Sequence, residues 1–358
     1  MSRRYYDFTK TVARKATENE PRHSEASIVE LNDGTLLMAW QCHRKSAYGS
    51  GDQAPSTISL MNSYDCGKTW VNERVVAAMT DGCVNVYSPS FLRASDGSLI
   101  LFFKRYTRLE KHQQALNSYY RIVSYDEGET WSDEEIIWEN STTGTHNHSV
   151  SRLSDGTIII PLNEGGKWCA AGEDDHYVSV LRTKDESIRD FTVSEKMTVP
   201  MRGLMEPCIA ECRDGTLNMV MRTQLGSVFY SESRDGGKSW SKPQTTGLKS
   251  PESCPCIVSI PNSDAQLVIW NNAEYDMSWY SHYGKRTPLT MAISRDGLKT
   301  FSDLFDIETD PDTAFTNPSV TITSDGLFVL NYWSCRYNPD GSFGPLVDLN
   351  VATFRIHI

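Results

Sequence analysis

The stretch Ser233–Trp240, SRDGGKSW, decides the fold. Alone it predicts a tight turn. Asp235 can accept hydrogen bonds from turn N–H groups, Gly236 and Gly237 supply left-handed backbone, and Trp240 opens an apolar strand. The chain repeats this turn: SYDCGKTW begins at Ser63, SYDEGETW at Ser124, SRDGLKTF at Ser294, and a degenerate copy, TKDESIRDF, at Thr183. A turn used this often is a folding device of a repeated unit. Asp65, Asp126, Asp235 and Asp296 are therefore read as turn formers and not as catalytic groups.

Between these turns runs a second phrase, an apolar strand, Asp-Gly, and another apolar strand. It appears as EASIVELNDGTLLMAW from Glu25, SPSFLRASDGSLILFF from Ser88, NHSVSRLSDGTIIIPL from Asn147, EPCIAECRDGTLNMVM from Glu206 and NPSVTITSDGLFVLNYW from Asn317. A looser copy, CPCIVSIPNSDAQLVIW, starts at Cys254. Successive copies lie about 50 to 63 residues apart, a period of radial or stacked units. Each unit holds two hairpins, hence four short antiparallel strands. Six units predict an all-β, six-bladed β-propeller occupying residues 1–358 as a single domain. The last unit ends in DLNVATFRI with no second turn, so the N-terminal YYDFTKTVA is expected to supply its outer strand and cover an open sheet edge.

Of 358 residues, 39% are hydrophobic, enough for a large core. Asp and Glu outnumber Lys and Arg by 46 to 35, and the cations are scattered singly, which argues against nucleic acid or an anionic membrane as partner. The N-terminus has no apolar signal region. Nine cysteines in no regular framework fit reduced thiols, so a cytoplasmic location is expected, with an extracellular one the alternative for a chain whose signal has been removed. Cys208, Cys212, Cys254 and Cys256 alternate on strands and lack the C-x2-C turn of zinc sites; they are read as buried free thiols, with no metal or cofactor.

In a propeller the inner strands begin near the axis. The first residue of each unit, Glu25, Ser88, Asn147, Glu206, Cys254 or Asn317, is therefore expected to face a shared pocket.

The turn boxes, out of phase with the Asp-Gly strands from about Arg22 to Ile358, resemble those of the sialidase superfamily, the Asp-box or BNR-repeat propellers. That resemblance implies glycoside hydrolysis with three arginines gripping a carboxylate, an Asp as acid/base, and a Tyr nucleophile activated by a Glu. MEPCIAECRDGTLNMVMRT resembles the segment holding that Glu and the second arginine, which implies Glu206 and Arg222. GKRTPLTMAISRDGLKTF implies Arg286 as the third arginine. GSGDQAPSTISLMNSYDCGKTW places Asp52 eleven positions before Ser63, close to the acid/base Asp. Two positions depart from the family. FTNPSV puts the amide of Asn317 where the family keeps its Tyr, and in PRHSEASI Arg22 lies near the first arginine's place while Glu25 takes the pocket position.

Asp52 and Glu206 are candidates for a carboxylate pair, one activating water and the other protonating the leaving group, or one attacking directly. Arg222 and Arg286 are candidates for a bidentate clamp on a carboxylate, a sulfate or vicinal hydroxyls, or for structural salt bridges to Glu206 or Glu25. His146 and His148 offer a proton shuttle, a sugar contact or turn residues. Tyr275, Trp279, Tyr280 and Tyr283 are expected at the pocket mouth, where aromatic faces stack on sugars, and Tyr280 or Tyr283 is a candidate substitute phenol. Tyr332 and Trp333 are expected in the core.

The expectation is an exo-acting glycoside hydrolase whose substrate is a small acidic or polyhydroxylated glycan, bound by Arg22, Glu25, His148, Arg222, Arg286 and Asn317. The alternatives are a non-catalytic glycan-binding propeller, an exo-sialidase with a relocated nucleophile, and a scaffold for protein partners.

Overall fold

Four Asp-Gly pairs close their hairpins in one way. The carboxylates of Asp33, Asp96, Asp155 and Asp214 accept the N–H groups of Thr35, Ser98, Thr157 and Thr216 at 2.8–2.9 Å. The glycine between takes φ of 84–90°, a region L-residues avoid. The computed structural model describes residues 4–107, 116–141, 143–146, 148–165, 176–279 and 283–357, and no helix occurs among them. None is therefore long and apolar enough to cross a membrane.

The hairpins build six four-stranded antiparallel blades arranged as a β-propeller. The first blade is His23–Glu30, Leu36–His43, Ser56–Ser63 and Val71–Ala77; the second is Asn85–Arg93, Leu99–Thr107, Leu116–Ser124 and Glu135–Ser141. The third runs through Ser151–Arg152, Ile158–Gly165, His176–Thr183 and Thr192–Val193. The fourth is Met205–Glu211, Leu217–Arg222, Ser227–Ser233 and Gln244–Lys249; the fifth is Cys256–Ser259, Gln266–Asn271, Leu289–Ser294 and Ser302–Glu308. The sixth takes Thr313–Ile322, Phe328–Arg336 and Asp348–Ile356, and its outer strand is the N-terminal Tyr5–Arg14, as expected. Tyr5 lies opposite Ile356, and Thr11 opposite Val351.

Backbone contacts divide the chain into two compact units. One comprises Met1–Val150, Ser319–Ser334 and Pro345–Ile358; the other comprises Ser151–Pro318 and Cys335–Gly344. In the first unit the strand Leu36–His43 is buried throughout, because its two faces meet two different neighbours. Leu37 and Ala39 pack with Ile58, Leu99, Leu101 and Phe103, whereas Leu36, Met38 and Trp40 pack with Val329, Leu349 and Val351. In the second unit Leu217, Met219 and Met221 pack with Ile159 and Val180, and Val220 turns the other way onto Ile257, Val268 and Trp270. Strands buried on both faces read as continuous apolar runs, which is why the second phrase does not alternate.

The repeated S-x-D turns are closed circuits. Ser63 Oγ donates to Asp65 at 2.9 Å and accepts the Gly67 N–H at 2.8 Å, while Asp65 takes the amide and hydroxyl of Thr69 at 2.8 and 2.7 Å. The same bonds recur from Ser124, Ser233 and Ser294. Donation from the Thr130 hydroxyl and amide and from Ser124 holds Asp126 down to about 2. These carboxylates are engaged in their own turns. The aromatic that follows packs into the core: Trp131 stacks on Phe91 with ring centroids 6.3 Å apart, and Trp240 joins the Leu217 layer.

The cysteines among the described residues are free, but they are less uniformly buried than expected. Cys254 and Cys256 are buried, Cys208 and Cys212 are half-buried, and Cys66 is exposed.

At the head of the inner strands, Glu25, Ser88, His148, Glu206 and Asn317 all take left-handed backbone, with φ of 52, 54, 50, 48 and 53°. A register shift follows at Ser24/Ser27, Tyr87/Ser90 and Met205/Cys208, so these are β-bulges. Two residues on, Ser27 Oγ accepts the Phe91 N–H at 3.0 Å, Ser90 Oγ the Val150 N–H at 3.0 Å, and Cys208 Sγ the Ile257 N–H at 3.5 Å. The bulge re-aims one side chain per strand while its neighbour ties that strand to the next blade. In the third unit His148 holds this backbone position. Asn147, the residue expected there, lies outside the described residues, as does Tyr280.

Candidate functional site

In the first unit the bulge aims Glu25 at Arg22. Arg22 Nη2 lies 3.5 Å from Glu25 Oε1, Nη1 donates to Asp52 Oδ1 at 2.6 Å, and Nε donates to Ser24 Oγ at 2.8 Å. The guanidinium sits 5.5 Å above the Trp333 ring, so Trp333, expected as simple core, also supports a charge. His146 Nε2 stands 3.5 Å from Glu25 Oε2. One arginine thus serves two carboxylates. The Glu25 side chain is 9% exposed and that of Asp52 66%.

His148 is committed to the fold. Its Nε2 faces Val320 O at 3.0 Å, an acceptor, so that nitrogen carries the proton and Nδ1 accepts from Ser27 Oγ at 2.9 Å. Burial pushes its pKa down to about 4. Glu20, His23 and Cys42 also cluster in this unit. Trp40 Nε1 donates to His23 Nδ1 at 3.1 Å, which places the proton of the neutral ring on Nε2, the atom facing Glu20. Arg14 and Arg44 hold Glu20, so this trio does not offer a metal three free ligand atoms.

In the second unit the Glu206 bulge and the strand Leu217–Arg222 bring opposite charges together. Arg222 Nη1 donates to Glu206 Oε2 at 2.8 Å, and its Nη2 lies 3.1 Å from Glu252 Oε1. Glu252 is fully buried and also receives Arg202 Nη1 at 2.5 Å and Gln224 Nε2 at 3.2 Å. Burial works against the charge on Arg222, but Glu206 and Glu252 outweigh it and hold its pKa well above the ordinary value. The salt bridge from Arg222 to Glu206 weighed from the sequence is present.

Arg286 is different. Its Nη1 donates to Thr316 Oγ1 at 2.8 Å and its Nη2 to the Glu252 carbonyl at 3.0 Å, both neutral acceptors. Its Nε is buried with no protein partner, and the residue is 3% exposed. Burial, and then repulsion by Arg222, push its pKa down. Among the described residues this cluster therefore sets three guanidiniums against two carboxylates. Such an excess of buried positive charge is relieved by an anion.

Asn317 and Cys254 complete the group. Cys254 Sγ donates to Glu206 Oε2 and lies 3.2 Å from Asn317 Oδ1, which also accepts from Thr316 Oγ1 at 2.9 Å. In the same unit the Tyr275 ring packs on Tyr283, centroids 5.8 Å apart, with the Tyr275 hydroxyl buried and without a protein partner. Of the expected site residues, Glu206, Arg222, Arg286 and Asn317 belong to the second unit; Arg22, Glu25, Asp52 and His148 belong to the first.

Residues 34–330 match the model of the BNR repeat-like domain. The chain belongs to that family. No curated protein matches it in sequence. Among solved structures, this BNR repeat-like protein is similar to the intramolecular trans-sialidase of Ruminococcus gnavus, at 14% identity and a TM-score of 0.73 over 97% of both chains. A leech intramolecular trans-sialidase is 14% identical with a TM-score of 0.71, over 94% of this chain and 68% of that one. An α-L-arabinofuranosidase from Fusarium graminearum is 14% identical with a TM-score of 0.64 over 98% of both. At such identities the likeness is one of fold, and the fold hosts more than one chemistry.

Two members of the BNR repeat-like protein's cationic cluster escaped sequence reasoning. Arg202 and Glu252 lie in the connecting segments PMRGL and SPESCPC, outside any strand phrase. The one sequence signal for either is the proximity of Glu252 to Cys254, which opens the fifth strand phrase.

Proposed function

We propose that the chain is a glycoside hydrolase acting on the end of a small glycan whose terminal sugar carries a carboxylate. The observation that carries this reading is Arg286, a buried guanidinium with neutral acceptors on two nitrogens and no partner on the third. A sugar carboxylate is the planar, bidentate anion that such a fork accepts. Glu206 acts as the carboxylate at the reacting centre. Tyr275 and Tyr283 supply aromatic faces for the ring. The resemblance to sialidases and an arabinofuranosidase in fold supports the reaction class.

The test is a panel of aryl glycosides with the purified protein: a 4-methylumbelliferyl sialoside, 4-nitrophenyl glucuronide and 4-nitrophenyl arabinofuranoside. Turnover of a carboxylate-bearing member is expected, with a roughly 10²–10⁴-fold loss in Glu206→Gln. Failure to cleave any of the three, or full activity in that variant, overturns the reading. Asn317 in place of a phenol favours a second reading, a glycan-binding propeller; binding of free glucuronic or sialic acid with no turnover of any glycoside would establish it.

A further inference from the structure

Asn317 cannot attack an anomeric carbon, so a hydrolase with this cluster needs its nucleophile elsewhere. The fifth unit supplies the place. Cys254-Pro255-Cys256 is the sequence counterpart of Glu206-Pro207-Cys208 and Asn317-Pro318-Ser319; Cys254 lacks their left-handed backbone, yet its Sγ lies 3.2 Å from Asn317 Oδ1. Its thiol donates to the Glu206 carboxylate, an arrangement in which a base adjoins a nucleophile. Tyr283, the described candidate for a relocated phenol, packs its ring on Tyr275.

We propose that Cys254 is the catalytic nucleophile of this chain, with Glu206 as its base and a carboxylated sugar, held by Arg286, as its substrate. This rests on the hydrolase reading above and names the group that reading leaves open. Two features of the cluster bear on it independently. The first is the charge count: Arg286, 3% exposed with Nε unpartnered, calls for an anionic ligand in this same cluster. The second is the charge path. When the thiol proton moves to Glu206, one negative charge moves from carboxylate to sulfur, and both ends face Arg222: Nη1 lies 2.8 Å from Glu206 Oε2 and 4.0 Å from Cys254 Sγ. The cluster's total charge is unchanged, so no new buried charge is created. Burial, and then the Glu206 charge, keep the resting thiol protonated, which guards it from oxidation until a substrate docks.

The reaction balances as follows. Glu206 takes the Cys254 proton as Sγ bonds to the anomeric carbon. The glycosidic C–O bond breaks, and its electron pair leaves on the aglycone oxygen, which takes a proton from a water molecule and leaves hydroxide. The oxygen of that hydroxide then bonds to the anomeric carbon. The C–S bond breaks, and the sulfur recovers its proton from Glu206. Two displacements at one carbon retain its configuration.

The experiment uses the full chain and the aryl glycoside that it cleaves. Cys254→Ala is expected to lose on the order of 10³-fold or more in kcat, as removal of a nucleophile does; Cys254→Ser is expected to keep the fold by circular dichroism and to lose most of the rate. Wild-type protein is treated with 2,3-difluoro-N-acetylneuraminic acid or 2-deoxy-2-fluoroglucuronosyl fluoride, according to the substrate, and digested. A sugar adduct on the Cys254 peptide is expected, and this readout needs no variant to fold. If turnover persists in Cys254→Ala within about tenfold of wild type, or the adduct sits on another residue or never forms, the nucleophile assignment is overturned and the hydrolase reading stands. If wild type cleaves none of the glycosides, both are overturned.

Discussion

Replacing Glu252 by glutamine removes one charge and keeps the shape of the side chain, so it isolates the electrostatics of the second unit. Glu252 is 0% exposed, and its two oxygens face Arg202, Arg222 and Gln224 at 2.5, 3.1 and 3.2 Å. Among the described residues of the native cluster three arginines meet two carboxylates; in Glu252→Gln three meet one. Breaking a buried ion pair from one side typically costs about 3–5 kcal/mol, because the partner charge stays behind. With an unfolding entropy near 2.1 cal/mol/K per residue, a loss of about 4 kcal/mol over 358 residues lowers Tm by about 5 °C. Thermal melts followed by circular dichroism measure this. The same charge count predicts a rescue: sodium sulfate, as an anion for the unrelieved guanidiniums, should raise the Tm of Glu252→Gln more than that of wild type, against sodium chloride at equal ionic strength. A Tm within about 1 °C of wild type, or equal sulfate effects on both proteins, would refute the account of this cluster as a buried cationic excess.

Trp131→Ala, which removes the ring stacked on Phe91, should destabilise by about 3 kcal/mol in urea unfolding; an unchanged midpoint would show that the turn tryptophans do not carry the inter-blade layer. Stability should also fall in acid through His23. Burial, and then Arg14, lower its pKa from 6.5 to about 4, so the unfolded chain takes up the proton first as pH drops. The contribution is complete above about pH 6.5 and disappears towards pH 4, amounting to about 3 kcal/mol at most. Tm from pH 7 to pH 4 should therefore fall less steeply in His23→Gln, and parallel slopes in the two proteins would contradict this.

The blades were readable because their punctuation is local. Each Asp-Gly and each S-x-D turn is closed by hydrogen bonds within five residues, so the sequence window that encodes a turn also contains its partners. The doubly buried strands were readable as apolar runs for the same reason. The charged clusters depend on distant partners and were only partly readable. Glu206, Arg222 and Arg286 were placed by family resemblance, but that Arg222 is shared with Glu252 follows from a loop that carries no periodicity. Cys254 was recognised as the head of a strand phrase and then set aside as a buried thiol, since burial and cysteine usage say nothing of a carboxylate 48 residues away in sequence. His148 illustrates a register effect: one position of slip at the head of the third inner strand exchanges the residue that takes the left-handed backbone.

The left-handed residues at the strand heads bear on how such a chain diversifies. An L-residue held at positive φ costs roughly 1–2 kcal/mol, so the five at Glu25, Ser88, His148, Glu206 and Asn317 together hold roughly 5–10 kcal/mol. That is comparable to the whole stability margin of an ordinary domain. Glycine would relieve each one, yet none of the five is glycine. Because the penalty attaches to the backbone and not to a particular side chain, exchanging one non-glycine residue for another there adds little new strain. These positions are therefore interchangeable sockets, where a lineage can trade carboxylate, amide, imidazole or hydroxyl while the surrounding blade remains as it was.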